Sequence, residues 1–172
     1  MKIKNKLVIT VFILIAFAIA FSFFQRNDRT EKQEELEKVL VFFATRDAMY
    51  LEAEERAVNT SALYRNTMEE LINGPANSTL SPTIPEGVKL LNLEVEAGTA
   101  LLDFNRALAE NHWGGSTGET LTIYSIVHTM TQFPPIKKVQ ILLDGKKVET
   151  LAGHMDLLAP LEPDHHLIKK PQ

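Results

Sequence analysis

The sequence predicts an α+β domain, a largely antiparallel β-sheet with two helices packed on one face, preceded by an N-terminal transmembrane helix. Apolar and polar residues alternate in several short segments, which is typical of half-buried strands. Two other segments carry apolar residues at helical spacing, as in helices that bury one face. Residues 7–24 read LVITVFILIAFAIAFSFF and contain no charged side chain.

This apolar run is long enough to cross a membrane. At ~1.5 Å per residue, roughly nineteen helical residues span about 28 Å, close to the hydrocarbon thickness of a bilayer. Lys2, Lys4 and Lys6 precede the run, which favours a cytoplasmic N-terminus and an extracytoplasmic C-terminal domain. A secretory signal peptide cleaved near Ala20 is the alternative. We favour an uncleaved anchor, because the apolar run continues past that site.

Composition excludes several classes of function. The 172 residues carry a net charge of -4, with a pI of about 5.7. A nucleic-acid partner is therefore not expected, since such proteins carry a basic stripe. The absence of cysteine excludes disulfides, thiolate metal sites and lipid attachment through cysteine.

The chain divides into four parts. After the cytoplasmic N-terminus and anchor, residues 1–24, the polar residues 25–38 predict a stalk that spaces a domain from the membrane. Residues 39–163 predict a single domain, and residues 164–172 a polar, solvated tail.

In the first half of the domain, residues 39–43 predict a buried strand and residues 48–58 a second, partly exposed one. A helix follows, with Thr60 or Ser61 as its N-cap. It ends at Gly74, because glycine tolerates the left-handed conformation there and the next residue is proline.

In the second half, alternation over residues 91–95 and 100–104 predicts a β-hairpin. The next helix begins with Ser116 and Glu119 at capping-box spacing and ends near residue 133. Residues 139–143 predict a strand, with Asp144-Gly145 as a hairpin turn and residues 146–151 as the returning strand.

One loop is a candidate partner contact, formed by Trp113, Gly114 and Gly115. An exposed tryptophan can anchor a protein partner. Packing of Trp113 beneath the loop is an equal alternative. The Gly114–Gly118 segment also opens a helix, whose N–H groups could face an anion, but its spacing matches no phosphate-binding motif.

The other polar residues give no convincing site. His154, His165 and His166, with Asp156 and Asp164, could bind a metal, but we interpret them as a loop and a solvated tail. His128 with Ser125 is too little for a Ser-His arrangement, and we interpret it as a helix-surface histidine. We interpret the carboxylates Glu52, Glu54 and Glu55 as a solvated strand face, with the first and second sharing one side. No catalytic, cofactor or metal residues are predicted.

Residues 63–161 resemble the GerMN domain, the module of GerM-type sporulation and spore-germination proteins of endospore-forming bacteria. The matching segments are ELINGP at 70–75, IPEGVKLL at 84–91, ALLDFN at 100–105, TMTQFP at 129–134, VQILLDGK at 139–146, and Gly153-His154. The resemblance implies an exported, membrane-tethered interaction module without a catalytic set. The chain differs in lacking a lipid-anchor cysteine, in Asn105, and in carrying one module.

We therefore expect a membrane-anchored extracytoplasmic interaction module acting in sporulation, germination or cell-envelope assembly. Its partners would be the membrane, envelope or sporulation proteins, or a second copy of the chain. An envelope hydrolase acting on peptidoglycan or a lipid is one alternative, which needs His128, His154, Glu52 or Asp103 to converge. An extracytoplasmic small-ligand or polysaccharide binder is the other.

Overall fold

Two small β-sheets surround a buried helix in the computed structural model, which describes residues 35–170. The first sheet contains three antiparallel strands: β1 (Leu36–Thr45), β2 (Leu51–Asn59) and β3 (Leu80–Ser81). Their order is β2-β1-β3, so β1 is central. Alternate β1 side chains at Val39, Val41 and Phe43 are fully buried, as the apolar run predicted.

The second sheet contains four strands: β4 (Leu90–Glu96), β5 (Thr99–Phe104), β6 (Lys138–Leu143) and β7 (Lys146–Lys147). Their order is β4-β5-β6-β7. The predicted hairpin of β4 and β5 is confirmed. The predicted turn is also confirmed, with positive φ at both Asp144 (49°) and Gly145 (74°). Such a turn needs a residue that tolerates the left-handed region at each position, hence Asp-Gly.

Three α-helices connect these strands: α1 (Leu63–Asn73), α2 (Ala107–Glu110) and α3 (Ser116–Thr131). Helix α1 ends at Gly74, as predicted, with φ of 86°. Its entry differs from the prediction. Asn59 accepts a hydrogen bond from the Ser61 N–H and caps a short 3₁₀ turn, Thr60–Ala62, ahead of α1.

The prediction of an α+β fold with antiparallel pairing is confirmed, but the prediction of one sheet with both helices on one face is wrong. β5 and β6 are parallel, because the chain between them runs through α2 and α3 before entering β6 from the same end. Helix α3 packs against β1 of the first sheet and β6 of the second, so it is buried on most sides.

The main core fills the space between both sheets, α1 and α3. Its largest fully buried side chains include Phe43, Phe104, Met68, Ile126 and Met130. A second, smaller cluster of Phe42, Ala44, Leu51 and Leu121 lies on the opposite face of the first sheet.

Both predicted ends of the domain need correction. Strand β1 begins at Leu36, so residues 36–38, predicted in the stalk, belong to the first sheet. The predicted solvated tail packs on the domain as far as the structure describes it. Ile168 contacts the smaller cluster and forms a bridge with Leu51, whose carbonyl accepts the Lys169 N–H at 2.9 Å. Ile168 is the apolar residue that makes this docking favourable.

The predicted transmembrane helix, residues 7–24, lies outside the described residues. Between residues 35 and 170, no helix is both long and apolar enough to cross a bilayer.

Candidate interaction site

Trp113 lies in the loop between α2 and α3 and exposes 60% of its surface. Its side chain is therefore outside the core, and packing beneath the loop does not occur. His112, beside it, has its ring centroid 5.9 Å from that of Trp113. The conformation of this loop (residues 111–115) decides how the tryptophan is presented.

A chain of hydrogen bonds through His112 fixes the loop. The Gly114 N–H donates to His112 Nδ1 at 2.9 Å, so the proton of the neutral ring lies on Nε2. His112 Nε2 then donates to Thr122 Oγ1 at 3.1 Å, and that hydroxyl donates to the Thr83 carbonyl at 2.7 Å. Burial lowers the pKa of His112, which favours the neutral ring that this arrangement requires.

Two further features hold the loop. Asn111 Nδ2 donates to the Glu86 carbonyl at 2.8 Å. Gly114 and Gly115 have φ of 79° and 77°, and a Cβ added to either would meet no atom within 4 Å. Glycine is therefore needed for the backbone angle and not for space. The hydrogen bonds of Asn111 and His112 thus fix the loop to the rest of the domain, while the Trp113 side chain faces solvent.

Glu119 does not form the predicted capping box with Ser116. Helix α3 begins after Gly115 without a side-chain cap. The Glu119 side chain is fully buried and binds the loop after β7 (residues 150–154) instead. This contact draws the chain away from the predicted return strand, of which only Lys146–Lys147 pairs.

Both carboxylate oxygens of Glu119 are hydrogen-bonded. Oε1 accepts from the Thr150 hydroxyl and from the N–H groups of Leu151 (2.8 Å) and Ala152 (2.9 Å), and Oε2 accepts from the His154 N–H at 2.8 Å. Burial alone would raise the pKa of Glu119, but these bonds outweigh it, so the pKa lies below its ordinary value. No sequence signal distinguishes this buried carboxylate from a helix cap.

His128 and Ser125 do not form a nucleophile and base. The Ser125 hydroxyl is buried and donates to the Thr122 carbonyl. His128 Nε2 lies 2.9 Å from the Asp164 carbonyl, to which it donates. His128 is also buried, not on the helix surface as predicted, and burial lowers its pKa. It is a packing residue that fastens residue 164 to α3.

The residues that a hydrolase would require bind different parts of the fold. His154 binds Glu119 through its backbone N–H, Glu52 forms an ion pair with Lys169 at 2.8 Å, and Asp103 accepts the Gly145 N–H at 2.8 Å. His128, His154 and Glu52 line three separate depressions, of about 390, 310 and 900 Å³. They are not brought together.

The remaining candidate ligands are also dispersed. Across residues 35–170, no three His, Cys, Asp or Glu side chains lie close enough to share a metal ion. Glu54 pairs with Arg56 at 2.8 Å, while Glu55 pairs with Lys38 at 2.8 Å on the other face of β2. The predicted sharing of one face by Glu52 and Glu54 is confirmed, but both are partly covered.

A groove of about 900 Å³ lies between the β1–β2 turn and the C-terminal segment. Its lining includes Arg46, Tyr50, Lys169 and Lys170. This groove was not predicted from the sequence, because residues 164–170 were expected in solvent.

Comparison with known proteins supports the same fold. The tandem GerMN domains of the sporulation protein GerM from Bacillus subtilis match with a TM-score of 0.64 and 20% identity, over 80% of this chain and 49% of that one. The chain thus spans about half of the tandem structure. The first GerMN domain of that protein alone matches with a TM-score of 0.60 and 17% identity, over 77% of this chain and 98% of that one. At these identities the likeness concerns the fold alone.

A crystal structure of a candidate lipoprotein from Clostridium perfringens matches with a TM-score of 0.54 and 26% identity, over 74% of this chain and 87% of that one. No curated protein matches the chain. A family model named Germane, described as "Sporulation and spore germination", matches residues 27–149. Since that match covers more than two thirds of the sequence, the chain belongs to the Germane (GerMN-type) family of sporulation and spore germination.

Proposed function

We propose that this chain is a non-enzymatic, membrane-anchored extracytoplasmic interaction module, and that Trp113 is its main partner contact. The proposal of a tether rests on the apolar run at residues 7–24 and on the likeness to a candidate lipoprotein. Family membership favours a role in sporulation, germination or envelope assembly. The partner is then a protein of the envelope or of the sporulation machinery.

The observation that carries the proposal is the exposure of Trp113 on a loop held by hydrogen bonds. Burying an exposed tryptophan in a partner removes a large apolar area from water. Because the loop is already fixed, little conformational entropy is lost when the partner binds. Such preorganised aromatic side chains are frequent among the residues that dominate interface energies.

The experiment compares two variants in cells by crosslinking and pull-down from membranes. Trp113→Ala removes the proposed anchor, whereas Met49→Ala removes a side chain of equal exposure, 60%, on a different loop. We expect crosslinked partners to be lost with the first change and retained with the second. Equal recovery from both variants would contradict the assignment of Trp113.

The tether has its own test. N-terminal sequencing of the membrane-associated protein should show an intact segment before residue 35. A mature protein that begins after Ala20 and is recovered without membranes would refute an uncleaved anchor.

A second candidate function, binding of an extracytoplasmic glycan or small anion, is favoured by the groove of about 900 Å³. Tyr50 exposes 43% of its surface there and could stack on a sugar, with Arg46 and Lys170 as cations beside it. Soluble cell-wall fragments should then bind the wild type but not Tyr50→Ala. Unchanged binding would exclude the groove.

A further inference from the structure

Within residues 35–170, strand β2 is paired along its length with β1 on one side, and on its other side only Leu51 is paired, through a bridge with Ile168. Between residues 35 and 170 its neighbour is β1, and the order of the sheet places β2 at the edge. An edge strand presents backbone N–H and C=O groups that can pair with another strand.

The contacts of β1 identify which β2 groups face outward. The Leu40 N–H and C=O both bind the Gln132 side chain, at 2.7 and 2.6 Å, so the Leu40 backbone faces away from β2. In an antiparallel ladder, residues directly opposite each other share this orientation. Leu40 lies opposite Glu55, so the Glu55 backbone faces the open side of β2.

The same two-residue period extends the open edge. Phe42, whose N–H binds Thr129 Oγ1 at 3.2 Å, lies opposite Ala53, and Ala57 follows at the same spacing. The outward N–H and C=O groups of Ala53, Glu55 and Ala57 find no hydrogen-bond partner within the described part of the chain. This open edge, residues 53–57, is about 16 Å long at ~3.3 Å per residue.

The fold covers the opposite edge of the same sheet. Along β1, Gln132 and Thr129 of the α3 region occupy the backbone groups of residues 40 and 42, and β3 pairs with residues 44 and 45. The β1 edge of the first sheet is therefore closed by side chains and a short strand. At the β2 edge, residues 53–57 are left open by the described part of the chain.

The chain itself shows that a strand fits against the β2 edge. Ile168 forms a parallel bridge with Leu51, and the Lys169 N–H donates to the Leu51 carbonyl at 2.9 Å. This added pairing stops at the first residue of β2. The open edge begins two residues further along the same side.

The side chains beside the open edge restrict what can dock there. Ala53 and Ala57 are exposed and small, so they leave room for large side chains on an added strand. Leu40 lies on the same face and is 42% exposed. Between the two alanines, the Glu55 side chain is 58% exposed and pairs with Lys38, itself 76% exposed. So exposed a pair contributes little to folding, and its carboxylate is accessible to another cation.

We infer that residues 53–57 are a docking site for an extended segment of another protein, which adds to the sheet as a strand beside β2. This segment carries Lys or Arg opposite Glu55 and apolar residues opposite Ala53 and Ala57. Main-chain hydrogen bonds supply affinity, and the alternate side chains supply selectivity. The inference rests on the proposed function only in that the ligand is a protein, and it uses a surface other than the Trp113 loop.

A second copy of this chain fits the open edge less well. Antiparallel pairing of two β2 strands over the whole open edge places Glu55 directly against its equivalent. Like charges directly opposite in a sheet are destabilising. A basic partner segment meets the same carboxylate with an opposite charge.

Two short peptides test the inference on the full-length protein in detergent micelles. The first, Val-Thr-Lys-Thr-Val, places lysine at its centre in either orientation, and the second replaces that lysine with glutamate. With the protein isotopically labelled, NMR should show amide shifts at Ala53, Glu55 and Ala57 on adding the lysine peptide. Cross-strand charge pairs make this peptide bind roughly tenfold more tightly than the other.

Variants of the open edge distinguish strand addition from non-specific binding of the peptides. Ala57→Pro removes one outward N–H at a position where an edge strand tolerates proline, and it should abolish binding. Ala57→Ser keeps the N–H and should bind as the wild type. Glu55→Lys should reverse the preference between the two peptides. Circular dichroism checks that each variant is folded.

Three results would overturn the inference: binding to Ala57→Pro as tight as to Ala57→Ser, a charge preference unchanged in Glu55→Lys, or no shift at residues 53–57 at millimolar peptide. Dimerisation of the protein that Ala57→Pro abolishes would also overturn it in favour of a second copy. The crosslinks that depend on Trp113 report on the proposed function separately, because none of the three β2 variants alters that loop.

Discussion

Replacing Glu119 by glutamine tests whether one buried carboxylate holds the 150–154 loop on α3. Glutamine keeps the shape of the side chain, and its amide oxygen can still accept from Thr150, Leu151 and Ala152 in place of Oε1. The amide nitrogen would replace Oε2 and face the His154 N–H, a donor against a donor.

The expected cost follows from these contacts. One bond to a charged acceptor is lost, which contributes roughly 1.5–3 kcal/mol. The three remaining bonds weaken because their acceptor is no longer ionised. The loop can partly detach and return its N–H groups to water, which limits the loss. We therefore expect Glu119→Gln to lower the free energy of unfolding by about 2–4 kcal/mol.

Equilibrium urea denaturation followed by circular dichroism measures this change, with hydrogen exchange at the Leu151, Ala152 and His154 amides as a local probe. Glu110→Gln is the matched control, because Glu110 is 63% exposed and forms an ion pair with Arg106, the residue just before α2. It should change stability by less than about 0.5 kcal/mol. A Glu119→Gln loss as small as that of the control, with the three amides still protected, would refute the reasoning.

Three further predictions concern titration and edge protection. The folded pKa of Glu119 lies below its ordinary value of 4.5, so its stabilisation is present above pH 4.5 and is lost on acidification; the difference in unfolding free energy between wild type and Glu119→Gln should therefore shrink below that pH. Burial lowers the pKa of His128 below its ordinary value of 6.5, although the Asp164 carbonyl opposes this; NMR titration should give a midpoint below 6.5, and stability should fall as pH drops through that range. Gln132→Ala should cost about 1–2 kcal/mol in urea denaturation and speed exchange of the Leu40 amide, because that N–H loses its acceptor. A protected Leu40 amide in this variant would contradict the role of Gln132.

Local signals in the sequence predicted much of the secondary structure. The alternation of Leu93 and Val95 with polar residues predicted the β4–β5 hairpin, and Gly74 predicted the end of α1. Asp144-Gly145 predicted a turn, which has two positive φ angles in the structure. Each of these features depends on neighbouring residues only. The two-residue strand β3 and the four-residue helix α2 were not predicted.

Pairing between distant segments could not be predicted in the same way. Alternation shows that a strand is half-buried but not which strand lies beside it. The same alternation is therefore compatible with one sheet or with two. The burial of helix α3 on most sides was not predicted, for a related reason. Thr122 and Ser125 suggest a polar surface, but both are buried because their hydroxyls donate to the Thr83 and Thr122 carbonyls.

The candidate site was predicted in part. Trp113 stood out as a tryptophan in a glycine-rich loop, but its exposure depends on the bonds of His112 to Thr122 on α3. Glu119 looked like a helix cap because its true partners lie more than thirty residues further along the chain. Gln132 covers the β1 edge of the first sheet across 92 residues of sequence, so local patterns could not show which edge stays open.

The parallel pair of β5 and β6 has a consequence for how the chain folds. Strands β4 and β5 are joined by a tight turn, so they can pair early, on the microsecond timescale of hairpins. β5 gains its second neighbour only after α2 and α3 have formed and carried the chain back to Val139. During synthesis, one edge of β5 is therefore unpaired until Leu143 has emerged. Slow folding and exposure to aggregation follow from that delay, and chaperone dependence should be greatest in this interval.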